Sequence, residues 1–132
     1  MHLIVCIDQR NGMSFAGRRQ SMDRLLRADI LALTEGFPLW MPPYSAAQFR
    51  EEAPNIRIAE DFLALAGEGE YCFCETALPE ENVESIILYR WHRHYPADLY
   101  LPQDWLDSRL PVQTTEFPGN SHEIITREVY VL

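Results

Sequence analysis

The sequence predicts a single α/β domain with a mostly parallel central sheet and an antiparallel edge. Apolar runs rich in β-branched residues alternate with segments of helical periodicity, as they do where strands and helices form layers. Two longer strand-like segments close the chain around the turn 118–120, which predicts a C-terminal antiparallel hairpin. A length of 132 residues favours one domain, 1–132, whose core needs neither metals nor disulfides.

The elements of the first half follow from local patterns. Residues 3–7 form an apolar run suited to a central strand, and 8–19 follow as a loop in which Gly12 and Gly17 permit unusual backbone angles. Ser21 is the predicted N-cap of a helix that ends near Gly36, with Asp23 in its first turn. The predicted apolar face of that helix is formed by Met22, Leu26, Ile30 and Leu33.

The second half is predicted in the same way. Short strands are expected at 39–41, 55–58 and 71–74, with helices at 44–52 and 60–66 between them. A long strand is expected over 84–95, a weak helix or loop over 77–82, and the closing hairpin strands over 112–117 and 122–131.

Charge and cysteine content limit the partners and the compartment. The formal net charge of −9 repels phosphate, so nucleic acid and anionic membrane are poor partners. The run 3–7 lacks the flanks of a signal peptide, and no apolar run is long enough to span a bilayer. Cys6, Cys72 and Cys74 lie in apolar runs without a disulfide-like framework, which predicts a cytoplasmic location. Cys72 and Cys74, on one strand face, are predicted to be buried thiols.

Several segments, in matching order and spacing, resemble dihydrofolate reductase. The first strand, the loop 11–13 and the helix-opening Asp23 are similar to the start of that family. Residues 86–89, 97–102 and 104–105 resemble its late strand and loop, and 120–122 with the last strand resemble its closing hairpin. The resemblance implies the family's three-layer sandwich.

The resemblance also implies a set of site residues. Asp23 stands at the position of the helix carboxylate that binds the pterin ring and assists its protonation, so it is the predicted catalytic residue. Ile4 and Cys6 would line the pterin pocket, with Tyr89 on the opposite wall and residues 12–20 as a flexible lid. The implied chemistry is hydride transfer from NADPH to a pterin.

Two departures from the family lie where NADPH would bind. The family's glycine and basic residue after the second strand are replaced by Pro42 and Pro43, which lack the N–H groups that bind phosphate. The family's glycine pair after strand 71–74 is replaced by Glu75 and Thr76, which add a side chain and a negative charge. We therefore expect no cofactor, and NADPH binding in particular is disfavoured.

Other residues admit alternative interpretations. Arg18 and Arg19 lie in the lid and could hold an anionic ligand, or they could form a solvated basic loop. The negative charge of Asp23 could simply interact with the positive end of its helix dipole, or Asp23 could pair with Arg27.

Histidines and serines suggest two kinds of hydrolase. His92 and His94, with Asp98, faintly resemble the metal motif of metallo-β-lactamase-type hydrolases, which include a tRNA-processing ribonuclease. The spacing is broken and a zinc site needs at least three protein ligands, so we predict no metal site. Ser45, Ser121 and His122 could contribute to a hydrolase triad, but the Gly-x-Ser-x-Gly turn is missing and we predict none.

These observations lead to one preferred function and two alternatives. We expect a divergent dihydrofolate-reductase-like protein that binds a small pterin- or nucleotide-like ligand without NADPH-dependent reduction. The alternatives are an active NADPH-dependent reductase and a ribonuclease Z-like metal hydrolase using His92 and His94. The last hairpin carries Ile124, Ile125, Val129 and Val131, which would allow an edge-mediated homodimer.

Overall fold

A seven-stranded sheet forms the middle layer of the protein, whose computed structural model describes all 132 residues. The strands in chain order are β1 (His2–Ile7), β2 (Gly12–Phe15), β3 (Arg18–Arg19), β4 (Leu39–Met41), β5 (Ile56–Ile58), β6 (Tyr71–Phe73), β7 (Ser85–Arg90), β8 (Leu99–Tyr100), β9 (Gln113–Phe117) and β10 (Ile125–Val131). The helices are α1 (Arg24–Leu33), α2 (Pro43–Ala46) and α3 (Phe62–Leu65), with a short 3-10 helix at Gln103–Trp105.

The main sheet has the strand order β5-β4-β6-β1-β7-β10-β9. Its first five strands are parallel, and β10 then runs antiparallel to both β7 and β9. The predicted α/β class, the mostly parallel sheet and the antiparallel C-terminal hairpin are confirmed. None of the helices is long and apolar enough to cross a lipid bilayer.

Alternation along β1 sends side chains into two separate cores. Leu3, Val5 and Ile7 enter the core beneath α3 and the 3-10 helix, whereas Ile4 enters the core beneath α1. Two faces with apolar side chains explain why the run reads as continuously hydrophobic in the sequence. The three layers are therefore α1 with α2, the sheet, and α3 with the 3-10 helix.

The start of α1 differs from the prediction. Asp23, not Ser21, is the N-cap: its carboxylate accepts hydrogen bonds from the N–H groups of Leu25 and Leu26. Leu26 and Ile30 are buried as expected, but Met22 lies before the helix and is 49% exposed. The N-cap moves because a carboxylate two residues further along the chain satisfies the free N–H groups of the first turn.

Tertiary contacts also change the other element boundaries. The helix expected over 44–52 is only the four-residue α2, and the strand expected over 84–95 ends at Arg90. His92, just beyond it, has φ of 59°, which no strand residue adopts. The expected loop 8–19 contains the hairpin of β2 and β3, which pairs with β8 in a small second sheet. The last strand starts at Ile125, later than the predicted position 122.

Candidate functional site

The candidate site lies where the parallel strands β1, β6 and β7 end and the β2–β3 hairpin covers them. Asp8 follows β1, Glu75 lies just beyond β6 and Trp91 follows β7. Carboxyl ends of parallel strands meet at one edge of the sheet, which is where open α/β sheets bind ligands. We refer to residues 12–20 as the lid.

Asp23 is buried at this edge and is fully engaged by its own chain. Its carboxylate caps α1 and also holds the loop that follows β9, across about a hundred residues of sequence. That loop donates to the carboxylate from the N–H groups of Asn120 and Ser121, the hydroxyl of Ser121 and the ring of His122, at 2.9–3.3 Å. Asp23 therefore joins the start of α1 to the C-terminal hairpin.

These contacts determine the ionisation of Asp23. Burial alone would raise the pKa, but hydrogen bonds from Asn120, His122, Ser121 and Leu26 outweigh it and lower the pKa below its ordinary value. The group is consequently an anion with only donors around it. A free carboxylate aimed at a ring, as the family resemblance implies for Asp23, would instead need open acceptor positions in the cleft.

His122 is the partner of Asp23 that the sequence analysis did not assign. Nδ1 of His122 lies 3.0 Å from Oδ2 of Asp23, and both side chains are almost fully buried. Nε2 lies 3.2 Å from Oγ of Ser21 and 3.1 Å from the Tyr95 hydroxyl, and the ring stacks on Trp91. Asp23 and His122 are 99 positions apart, so no local sequence pattern links them. The segment Asn120-Ser121-His122 was nevertheless one of the motifs on which the family resemblance rests, as was Asp23.

Arg19 and Glu75 close the cleft from the side of β6. The guanidinium donates twice to the carboxylate, Nε to Oε2 at 3.0 Å and Nη2 to Oε1 at 3.2 Å. Gln48 donates to the same Oε1, and Arg19 also donates to the main-chain oxygen of Tyr44 and lies over its ring. The lid is thereby attached to α2 and to the end of β6.

Asp8 attaches the lid at its other end. Its Oδ1 accepts from the N–H groups of Arg10 and Gly12, and its Oδ2 accepts from the Gln20 side chain and the Tyr95 N–H. Burial opposes ionisation here too, yet these bonds lower the pKa of Asp8. Both ends of the lid are therefore held against the carboxyl ends of the strands.

Little open space remains beneath the lid. The cleft has a cavity volume of about 10 Å³, roughly the room that one water molecule needs. Its lining residues are Cys6, Met13, Arg19, Gln20, Ser21, Cys74, Glu75 and Trp91. A larger open depression of about 540 Å³ lies at the C-terminal end of α1 and shares none of these residues.

The structure places the other predicted ligand-binding residues in different surroundings. Ile4 and Tyr89 have no exposed surface, and the Tyr89 hydroxyl donates to Asp29 on α1. Cys6 borders the cleft, and burial together with the charge of Glu75 raises the pKa of its thiol. Arg18 is exposed and its side chain makes no hydrogen bond within the chain, whereas the neighbouring Arg19 points inward to Glu75.

The histidines and cysteines considered above do not cluster. His92 bonds the Thr126 hydroxyl at 2.6 Å, while His94 lies 4.0 Å from Asp8. No group of three or more His, Cys, Asp or Glu side chains is placed to hold a metal ion. Cys72 and Cys74 are fully buried, as predicted, and burial raises the pKa of Cys72 to about 12.

Comparison with known proteins identifies the fold. No protein-family model and no curated sequence matches the chain. Among solved structures it is similar to dihydrofolate reductase from Enterococcus faecalis complexed with NADP(H) and RAB-propyl, with a TM-score of 0.63 and 12% identity. The alignment covers 98% of this chain and 94% of that chain.

The protein therefore has a dihydrofolate-reductase-like fold, as the resemblance implied. The coverage extends over the whole chain, so the likeness is not confined to one motif. An identity of 12% shows a likeness of fold alone. Function has to be argued from the side chains beneath the lid.

Proposed function

We propose that this protein binds a small pterin- or nucleotide-like ligand beneath the lid and does not carry out NADPH-dependent reduction. The supporting observation is the Arg19–Glu75 ion pair at the end of β6. The family resemblance implies a glycine pair at that place, where main chain approaches the cofactor. Here a buried carboxylate and a guanidinium fill it.

The free energy of this network opposes cofactor binding. Glu75 accepts two hydrogen bonds from Arg19 and one from Gln48. Hydrogen bonds to charged groups contribute about 1.5–3 kcal/mol each, and Arg19 is partly exposed, which favours the lower figure. Displacing three such bonds would cost about 4 kcal/mol, or about a thousandfold in affinity.

The start of α2 offers no replacement site for the cofactor phosphates. Pro42 is its N-cap, Pro43 is its first residue, and no side chain caps the helix. Neither proline has an N–H to donate to phosphate, and the helix has only four residues. The residues present do not fit NADPH.

A ligand larger than water requires the lid to open. The closed cleft holds only about 10 Å³, whereas small-molecule pockets typically span about 300–1,000 Å³. Opening requires the Arg19–Glu75 pair to break, together with the bond from Gln20 to Asp8, so that the lid leaves Cys6 and the strand ends. Arg19, Arg18 and Asp23 would then be the charged groups nearest the opening, and Ile4 and Tyr89 would be reached only after deeper rearrangement.

Calorimetry and thermal shift with NADPH, dihydrofolate and an antifolate test both halves of the proposal. We expect no NADPH binding tighter than about 1 mM, because of the cost calculated above. An antifolate or dihydrofolate should raise the melting temperature, since a ligand specific to the native state stabilises it. Micromolar NADPH affinity, or NADPH oxidation that needs dihydrofolate and Asp23, would establish the alternative reductase. An unchanged melting temperature with both dihydrofolate and the antifolate would contradict the proposal that the protein binds a pterin-like ligand.

The preferred partner and compartment rest on bulk properties. A net charge of −9 opposes binding to nucleic acid and to anionic membranes, so we propose a small molecule as the partner. The three free cysteines are compatible with a reducing cytoplasm, which is the location that we propose.

A homodimer is a further proposal: β9 is an edge strand, and Leu110, Val112 and Val131 beside it are 86%, 67% and 58% exposed.

A further inference from the structure

Three side chains under the lid form a continuous hydrogen-bonded row. Oδ2 of Asp23 lies 3.0 Å from Nδ1 of His122, and Nε2 of the same ring lies 3.2 Å from Oγ of Ser21. The ring is fixed by stacking on Trp91, with centroids 4.5 Å apart. This is the order of groups that activates a serine nucleophile: an orienting carboxylate, an imidazole base and a hydroxyl.

The surrounding donors determine which nitrogen of His122 carries the proton. The Asp23 carboxylate accepts main-chain N–H groups from both α1 and the C-terminal loop, so it cannot donate. Nδ1 therefore donates to Asp23, and in the neutral ring Nε2 is an acceptor with one lone pair. The hydroxyls of Ser21 and Tyr95, at 3.2 and 3.1 Å, compete to donate to that lone pair.

We propose that Ser21, His122 and Asp23 are a nucleophilic triad that accepts the acyl group of a small activated ester. Ser21 is the catalytic nucleophile, because it is the triad member that lines the cleft and is partly exposed. His122 is the general base, and Asp23 fixes its tautomer. This activity goes beyond the proposed ligand binding, shares the cleft beneath the lid with it and uses no cofactor.

The chemical step balances without a further reactant. Oγ of Ser21 forms a bond to the carbonyl carbon of the ester, and its proton passes to Nε2 of His122. The ester C–O bond then breaks, and the leaving alcohol or phenol takes that proton. In the second half, water attacks the acyl carbon and gives a proton to Nε2, which returns it to Oγ as the carboxylic acid leaves.

Reaction at Ser21 requires the lid to open, and unpaired main-chain donors lie next to the nucleophile. The closed cleft of about 10 Å³ has room for one water molecule only, so an ester reaches Ser21 once the lid is lifted. The N–H groups of Ser21 and Met22 donate to no acceptor in the chain. They are therefore unpaired main-chain donors next to the nucleophile in the chain, and the proposal assigns them to the oxyanion that forms when Ser21 attacks.

The chain lends itself to a direct labelling experiment. It contains no lysine, since all eleven basic residues are arginine, so acylation of lysine amines cannot obscure the result. Trypsin cleaves after Arg19 and Arg24 and releases the peptide 20–24, in which Ser21 is the only hydroxyl. The folded protein is incubated with p-nitrophenyl acetate, and released p-nitrophenol and peptide acetylation are measured.

We expect a burst of p-nitrophenol and acetylation of peptide 20–24, at least tenfold faster than in guanidinium-unfolded protein. Ser21→Ala should abolish both while keeping the wild-type melting temperature within a few degrees. Tyr95→Phe should accelerate acetylation severalfold, because it removes the donor that competes for Nε2. If Ser21, His122 and Asp23 only stabilised the fold, neither the acetylation of Ser21 nor its acceleration by Tyr95→Phe would be seen. Acetylation confined to the Met1 amine or the cysteine thiols, or equal rates in folded and unfolded protein, would overturn the proposal.

Discussion

The carboxylate of Asp23 caps two segments of the chain at once. One carboxylate satisfies N–H groups at the start of α1 and at the loop 119–122, which otherwise have no acceptor nearby. The loop can approach this closely because Gly119 has no side chain: a Cβ there would lie 2.8 Å from Oδ2 of Asp23. Residue identity at 23 and 119 thus fixes how the C-terminal hairpin meets the first helix.

Replacing Asp23 tests this connection. We expect Asp23→Asn to lower the free energy of unfolding at pH 7 by about 2–4 kcal/mol. The NH2 group that replaces one carboxylate oxygen is itself a donor, so the buried donors that now bond to that oxygen would lose their acceptor. Chemical denaturation measures the change. Asp61→Asn is the matched control, since Asp61 caps α3 without a side-chain hydrogen bond and should change stability by less than about 0.5 kcal/mol.

The same pair of proteins predicts a pH dependence. The pKa of Asp23 is lowered in the folded state, so its contribution is fully present above the unfolded value of about 4 and is lost as the pH falls toward the folded value. The stability difference between wild type and Asp23→Asn should be constant above about pH 5 and should shrink below about pH 4. A difference that stays constant down to pH 3 would contradict the assigned hydrogen bonds.

Gly119→Ala should destabilise the protein through overlap. The added Cβ would lie 2.6 Å from the His122 main-chain oxygen and 2.8 Å from the Asp23 carboxylate, so backbone must shift. We expect a loss of about 1–3 kcal/mol in the free energy of unfolding. Gly67→Ala is the control, because its nearest neighbour is the flexible Glu70 side chain at 3.4 Å; equal losses for both variants would rule out the overlap.

Among the elements, the lid departs most from the expectation of a flexible loop. Its β2–β3 hairpin pairs with β8, and Met13 and Ser14 of β2 are buried. Arg19 holds the hairpin to Glu75 on the far side of the cleft. The same element therefore both completes a small sheet and closes the site.

Removing the ion pair should loosen the lid specifically. We expect Arg19→Ala to accelerate amide hydrogen exchange in β2 and β3 while β1 and β7 stay protected, because the central strands keep their partners. In a double-mutant cycle with Glu75→Ala, the coupling should be about 1–3 kcal/mol. The neighbouring Arg18→Ala is the control, as the Arg18 side chain makes no hydrogen bond or ion pair and its main chain stays in β3; a coupling near zero between Arg19 and Glu75 would contradict a closing role for the pair.

The whole molecule is a sheet with two buried faces and two exposed edges. Its central strands β1 and β7 are paired on both sides, whereas β5 and β9 are paired on one side only. A group of exposed apolar residues lies near β9: Leu110 and Val112 precede this strand and are mostly exposed. Association through β9, and not through the internal strand β10, is the geometry that an edge-mediated homodimer would use.

Sedimentation velocity over a concentration series tests that association. We expect a monomer–dimer equilibrium that Val112→Arg shifts to monomer, because a charge at the start of the edge strand β9 opposes pairing with a second edge. Ile58→Arg, at the opposite edge β5, is the matched control and should leave the equilibrium unchanged. A single monomeric species at all concentrations would remove the homodimer proposal.

Much of the architecture could be predicted from the sequence because strand and core patterns are local. The run at β1, the helical periodicity of α1 and the closing hairpin gave the α/β class, and the order of short motifs gave the fold resemblance. Boundaries failed where a distant partner decided them. The cap of α1, for example, lies at Asp23, whose carboxylate also serves the loop that contains Asn120.

The sequence by itself determined the layers, the buried cysteines and the missing phosphate-binding groups at Pro42 and Pro43, since each depends on residue type and near neighbours. The tertiary structure alone decided that Arg19 meets Glu75, that Asp23 meets His122 and that Ser21 completes their row. These contacts join residues 56 to 101 positions apart. No local propensity encodes such pairs; they form because packing of the sheet brings strand ends together and buried charges must find partners there.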